Sequence, residues 1–227
     1  MSNNLQHMII LAGAFLVLFI VAEILYHRLH VKAEITRKIV HIGTGLLTLL
    51  FPVLLSSHWW VLLLCGSFFL LLVLSMRYHL LKSIHAIDRR SVGSLVYPVI
   101  VYGCFLAWEK IEKPIQPGYS FFYVPILVMA LADPAAALTG KSWPKGVFKI
   151  GNERKSLSGS SAFFIVALIV ACCFFYFSSG YSFERSFTDA ILIALISAVV
   201  EAVSRNGFDN LTIPVSVLAC MYFFMII

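Results

Sequence analysis

Several short blocks of this sequence carry side chains whose types and spacing suit phosphate chemistry beside a divalent cation. In Arg37-Lys38-Ile39-Val40-His41-Ile42-Gly43-Thr44-Gly45, the residues Arg37, His41 and Gly45 recur at intervals of four and share one helix face, with Lys38 close by. The plain reading of the basic pair is a topological anchor in which Glu34 pairs with Lys38, but an ionisable His41 one turn into an apolar run points to function. A second block, Ala132-Asp133-Pro134-Ala135, interrupts the apolar run that begins at Val124. Asp133 suits a cap and Pro134 a first helical position, so the spacing predicts that a helix breaks and restarts here. A carboxylate at that depth is costly alone, and a divalent cation would supply its partner; the alternative is a capping Asp near the interface.

Lys155-Ser156-Leu157-Ser158-Gly159-Ser160-Ser161 opens another apolar run with small residues beside a lysine. A helix N-terminus of this kind can receive phosphate oxygens on its backbone N–H groups, or can be an ordinary Ser cap with a small-residue packing face. Just before it come Lys141, Lys145, Lys149 and Arg154, a concentration of positive charge. Gly140-Lys141-Ser142 resembles the end of a phosphate-binding P-loop, but Ala135 stands where the first glycine belongs and no strand precedes it, so that reading fails. Glu201 lies four residues before Arg205, an ordinary helical ion-pair spacing, and Asp209 or Asn210 suits a cap of the following helix.

The elements that must position these groups are membrane helices. Of 227 residues, 60% are hydrophobic and 12% charged, and the mean hydropathy is +0.92, far outside the range of soluble domains. Apolar runs fall near 8–27, 38–55, 59–76, 93–109, 121–140, 159–178, 187–205 and 210–227, which predicts an all-α, polytopic bundle of about eight transmembrane helices in a single domain. A barrel would need strands alternating apolar and polar residues, whereas Trp59 to Leu74 is apolar on every side. The first run has no Lys or Arg before it and no small-residue cleavage pattern after it, so it reads as a retained anchor. Cys65, Cys104, Cys172, Cys173 and Cys220 all lie within apolar runs and form neither a disulfide framework nor a zinc pattern.

All but three of the 17 Lys and Arg residues, namely Lys110, Lys113 and Arg185, fall in the segments that would share one side if the N-terminus lies outside. The positive-inside rule therefore places both termini on the non-cytoplasmic side and gathers every block above on the cytoplasmic face. The net charge of +6 is then explained by insertion, and no nucleic-acid surface is expected. Leu80, Leu81, Ile84 and Ile87, beside Arg77, Lys82, Arg89 and Arg90, read as a short amphipathic helix at that face. Glu23 and His27 read as a packing pair.

Taken in order, Arg37-Lys38-x-x-His41-x-Gly43, Arg90-x-x-Gly93-Ser94-Leu95-x-Tyr97, Asp133-Pro134-x-Ala136-Ala137-x-x-Gly140-Lys141, Lys155-Ser156-x-x-Gly159-Ser160 and Glu201 followed by Asp209-Asn210-Leu211-Thr212-Ile213-Pro214 resemble the CTP-dependent lipid-alcohol kinases, the family of dolichol kinase, phytol kinase and the fungal CTP-dependent diacylglycerol kinase. The resemblance runs from about residue 35 to 227 and implies transfer of the CTP γ-phosphoryl group to the hydroxyl of a membrane lipid alcohol, with Mg2+ or another divalent cation. It marks Arg37, Lys38, Asp133 and Gly140 most strongly. Physical roles follow from it: Asp133 with Glu201 on the metal; Arg37, Lys38, Lys141 and Lys155 on phosphates; the turn from Ser156 through Gly159 to Ser160 donating N–H groups; Asn210 beside the nucleotide; and Glu201 or His41 taking the hydroxyl proton. A cytidylyltransferase that makes a CDP-lipid would use similar groups, and a small transporter would also use a broken helix.

The charge asymmetry yields a direct test. In a background lacking the native cysteines, a cysteine at position 149 should resist an impermeant thiol reagent applied to sealed cells, and one at Tyr181 should react. Labelling of position 149 from outside would reverse the topology.

Overall fold

The computed structural model describes residues 2–85, 92–113, 118–151, 153–178 and 180–226. Ile87, Arg89 and Arg90 lie outside the described residues. The chain forms α1 (Ser2–His27), α2 (Ala33–Thr48), α3 (Phe51–Leu54), α4 (His58–Arg77), α5 (Lys82–His85), α6 (Gly93–Ala107), α7 (Ser120–Leu127), α8 (Asp133–Ser142), strands β1 (Val147–Ile150) and β2 (Glu153–Ser156), and then α9 (Leu157–Ser178), α10 (Phe183–Val203) and α11 (Asp209–Ile226). Seven helical stretches are long and apolar enough to cross a membrane, and an eighth, Asp209–Phe224, is apolar but shorter. Each expected apolar run is therefore a helix, and the chain is a multi-pass membrane bundle.

The fifth stretch is the central post. Val124, Ile126, Val128, Met129, Ala130 and Ala132 are wholly buried, and the post packs against α9, α11, α6 and α2. The expected break at Asp133 does not occur: a π-helical turn, Val128–Ala132, joins α7 directly to α8, and Asp133 itself has helical backbone angles. The reason lies in Pro134. A π turn pairs each carbonyl with the N–H five residues on, and for Met129 that residue is a proline without one. The helix absorbs the missing donor by widening one turn, and the Met129 carbonyl is left open to an outside partner.

Close approach of α2 to this post depends on Gly45. A Cβ there would sit 2.4 Å from the Ala130 Cβ and 3.0 Å from the Tyr97 hydroxyl. A second close contact joins α8 to α9, where a Cβ on Gly159 would sit 2.9 Å from the Ala136 carbonyl oxygen and one on Gly140 would sit 2.8 Å from Ser156 Oγ. Small residues at both crossings let backbones meet without an intervening side chain.

One local element differs from the sequence expectation, and a second is short. The basic segment before α9 is a β-hairpin, with Val147 opposite Ser156 and Lys149 opposite Arg154. Its turn begins at Gly151, whose φ of +59° is left-handed. The short helix α5 docks on α1 and α2: Ser83 N–H donates to Glu23 Oε1 at 2.9 Å, Thr36 Oγ1 donates to the Ser83 carbonyl at 2.6 Å, and Ile84 packs with Phe19, Ala22 and Val40. Glu23 also holds His27 at 3.0 Å, which bears out their pairing.

Gly45→Ala should lower stability by about 1–3 kcal/mol, the usual cost of overpacking. Gly66→Ala, whose Cβ would meet nothing within 4 Å, should be neutral or slightly stabilising. Unfolding temperatures of the two purified variants in detergent give the comparison.

Candidate active site

The ionisable groups of α2 and α8 meet inside the bundle. Lys38 Nζ donates to Asp133 Oδ2 at 2.6 Å, with Lys38 only 8% and Asp133 6% exposed. Asp133 therefore does not act as a cap, and the residue bonded to Lys38 is Asp133 rather than Glu34, which instead pairs with Lys141 at the surface. His41 Nε2 lies 4.0 Å from the same carboxylate oxygen and 3.0 Å from the open Met129 carbonyl. A carbonyl only accepts, so Nε2 carries the hydrogen, and in neutral His41 the lone pair belongs to Nδ1. The Tyr97 ring stands edge-on to His41 at 5.2 Å, and its hydroxyl donates to the His41 carbonyl at 3.2 Å.

A second ion pair lies nearby. Lys155 on β2 bonds both the carboxylate of Glu201 and, at 3.0 Å, its backbone carbonyl. Glu201 is thus held by Lys155 and not by Arg205, although the two are correctly spaced on the helix. Asp133 lies in the electrostatic range of Lys155 as well as of Lys38 and His41. Asp209 is likewise in range of Asp133, Lys38 and Lys155. Three carboxylates, Asp133, Glu201 and Asp209, and two lysines therefore form one charged cluster at the end of the bundle where α2, α9 and α11 begin.

This cluster opens into a cleft of about 940 Å³, counting the space at its mouth. Arg37, Lys38, His41, Asp133, Asp209 and Asn210 line one part of it, and Phe15, Phe51, Leu64, Phe68, Leu72 and Val101 line another. The α2 face is apolar beyond His41 despite two threonines, because Thr44 Oγ1 donates to the Val40 carbonyl at 2.7 Å and Thr48 Oγ1 to the Gly45 carbonyl at 2.7 Å. Their hydroxyl hydrogens are satisfied within their own helix. A charged mouth thus leads into an oily shaft.

Of the residues expected at the site, Arg37, Lys38, His41, Asp133 and Asn210 line this cleft; Gly140, Lys141, Lys155, Ser156, Gly159, Ser160 and Glu201 do not. The turn from Ser156 to Ser160 is not an open N–H cradle. Leu157 N–H donates to the Gly146 carbonyl at 3.1 Å, Ser158 N–H to the Lys145 carbonyl at 3.3 Å, and Gly159 N–H to Ser156 Oγ at 3.1 Å. The hairpin and the Ser156 cap have taken the donors that a phosphate would need. Ser160 Oγ lies 3.5 Å from Glu201 Oε2. Asn210 ties α11 to α6 by donating from Nδ2 to the Gly93 carbonyl at 3.0 Å. Asp209 is the carboxylate that sequence reasoning treated as a cap; its signal was its place at the head of the Asp209-Asn210-Leu211-Thr212-Ile213-Pro214 block. Among the described residues no group of three or more His, Cys, Asp and Glu side chains forms a ready metal cage. Mg2+ does not require one, because it is bound by one or two carboxylates together with substrate phosphates, and Asp133 and Asp209, both lining the cleft, fit that pattern.

A buried acid–base cluster at the mouth of an apolar shaft, within a membrane bundle, defines a membrane enzyme acting on a lipid. Comparison with known proteins gives the class: phytol kinase of Synechocystis sp. is 33% identical over 211 residues, covering 90% of this chain and 85% of that protein. The chain belongs to the lipid-alcohol kinase family and is a lipid kinase. No protein-family profile matches it, and no solved structure does.

The Lys38–Asp133 pair allows a variant series that separates structure from chemistry. Asp133→Asn strands a buried lysine and should cost about 3–5 kcal/mol of stability together with activity, whereas an apolar replacement of both partners is often neutral for stability. The double variant Lys38→Met, Asp133→Leu should therefore regain the unfolding temperature of the parent protein and remain inactive. Activity in the double variant would make the pair purely structural.

Proposed function

We propose that this protein transfers the γ-phosphoryl group of CTP to the hydroxyl of an isoprenoid lipid alcohol of the phytol kind, at the cytoplasmic face of a membrane in which both chain termini lie on the other side. One observation carries the reading: a single cleft joins Arg37, Lys38, His41, Asp133 and Asp209 at its mouth to an apolar shaft. An alcohol lying in that shaft presents its hydroxyl to the charged cluster, and a nucleotide at the mouth presents its phosphates to the same groups. The name of the relative supports an isoprenoid acceptor.

The acceptor oxygen attacks the γ-phosphorus in line, the bond from that phosphorus to the β,γ-bridging oxygen breaks, and CDP leaves with the bond's electron pair. Arg37 and Lys38 neutralise phosphate charge, the arginine through its planar fork and the lysine as a point charge. Lys155, held at the cluster by Glu201, adds a further positive charge. Gly140, Ser156 and Gly159 position Lys155 by bringing α8 and the hairpin together, and Ser160 buttresses Glu201. Asp133 and Asp209 would hold the divalent cation, in place of the expected Asp133 and Glu201. When bound, that cation would offset charge that develops on the phosphate oxygens. Lys38, bonded to Asp133 at 2.6 Å, lies within the same cluster and would share Asp133 with the cation. His41 Nδ1 takes the hydroxyl proton, because Glu201 stands outside the cleft. Lys149 and Arg154 oppose each other across the exposed hairpin face, an unfavourable arrangement alone that a polyanionic nucleotide relieves.

CTP labelled at the γ-phosphorus, given to purified protein with phytol, should yield labelled phytyl phosphate and CDP. Release of labelled pyrophosphate with a CDP-lipid when a lipid monophosphate replaces phytol would identify a cytidylyltransferase instead. Under the same assay Arg37→Lys should lower kcat/KM for CTP by about tenfold or more, as expected for loss of a bidentate contact at unchanged charge. Full activity of that variant at subsaturating CTP would return Arg37 to a topological anchor.

A further inference from the structure

The apolar shaft has a definite floor. Along α2, Arg37, His41, Thr44 and Thr48 line the cleft with Lys38 and Val40 beside them and are continued by Phe51 of α3; the first four recur at a spacing of three and four that keeps them on one helix face. The neighbouring helices agree on depth, because α1 and α4 run opposite to α2 and α6. Phe15 lies farther from the charged end than Phe19, Cys65 farther than Leu72, and Val101 of α6 farther than Tyr97. These deep positions converge: the Phe51 ring meets Phe15 edge-on at 6.0 Å and stacks on Phe122 of the central post at 6.4 Å. Phe51 is 1% exposed and part of the buried core, and it is the last residue along α2 and α3 that lines the cleft among the described residues. From Lys38 to Thr48 α2 advances about 15 Å at 1.5 Å per residue, half of the ~30 Å hydrocarbon core of a bilayer.

We infer that Phe51, with Phe15 against it and Cys65 at the deep end of the α4 lining, is a ruler that sets the longest apolar chain the acceptor can bring, and that the acceptor is a single-chain alcohol about one leaflet long. The inference rests on the reading of the cleft as the acceptor site and goes beyond it in naming what limits the substrate. An alcohol that reaches the floor fills the shaft while its hydroxyl stays beside Asp133. A longer one must fold back or draw its hydroxyl out of the cluster. A lipid with two chains has nowhere in the shaft for the second.

The test uses full-length protein and a series of prenols from geraniol through geranylgeraniol to a long polyprenol, with diacylglycerol alongside. Phe51→Ala lowers the floor and should raise the ratio of kcat/KM for an alcohol one isoprene unit beyond the natural optimum to that for geraniol by about tenfold, the discrimination typical of an apolar pocket. Cys65→Phe raises the floor and should move the ratio the other way, which keeps the inference decidable if Phe51→Ala does not fold. The shift in unfolding temperature that each alcohol gives without nucleotide reads binding separately from catalysis. If wild-type protein phosphorylates none of the alcohols, the proposed reaction fails, and the length dependence of stabilisation still decides the ruler. Length profiles that neither variant moves, or diacylglycerol stabilising as well as the preferred prenol, overturn the inference.

Discussion

The arrangement depends on a buried ion pair at membrane depth. Lys38 and Asp133 each carry a charge that the surrounding bundle cannot solvate, and each is tolerable only because the other lies 2.6 Å away. Their bond fixes α2 against α8 across 95 residues of sequence. An apolar pair of similar volume would serve stability as well, so the cost of desolvating both charges points to a use beyond cohesion. Under the proposed function, that use is binding: the carboxylate would serve a cation and the ammonium a phosphate.

Everything around the pair serves to bring helices close enough to form it. Gly45 lets α2 lie on the central post, Gly140 and Gly159 let α9 lie on α8, and Asn210 fastens α11 to the start of α6. The π turn before Asp133 contributes twice, since it carries Pro134 without a break and frees the Met129 carbonyl to orient His41. The polar head and apolar shaft of the cleft follow from one helix: α2 begins with Arg37, Lys38 and His41 and turns apolar as it descends, with its threonine hydroxyls folded back on its own backbone. The proposed acceptor, a lipid alcohol, has the same division of polarity.

Much of this was legible in the sequence, and for physical reasons. Apolar runs longer than a soluble helix needs identify the membrane segments, and the order of the blocks around Arg37, Asp133, Lys155, Glu201 and Asp209 carries the family. Arg37, Lys38, His41 and Asp133 announced themselves as ionisable groups inside apolar surroundings. What was not legible was which charges pair. Helical spacing favoured Glu34 with Lys38 and Glu201 with Arg205, but long-range partners, Asp133 and Lys155, won because burial makes a close partner worth far more than an exposed neighbour one turn away. The hairpin is hidden by its charges: Lys149 and Arg154 read as a concentration of positive charge, and the Gly151 turn is too short to stand out. The Asp133-Pro134 pair reads locally as a helix start, and only the packing of α7 and α8 into one post keeps the helix continuous.

The central claim is that the shaft between α1, α2, α4 and α6 holds the acceptor chain with its hydroxyl at the Lys38–Asp133 pair. Photocrosslinking addresses it directly: a phytol analogue bearing a diazirine at its far end, irradiated with the protein in lipid nanodiscs and mapped by mass spectrometry. The account predicts adducts on Phe51, Cys65 or Val101, suppressed by excess phytol. Adducts confined to outward residues such as Leu63 and Val199, which are 55% and 64% exposed, and insensitive to phytol, would contradict it.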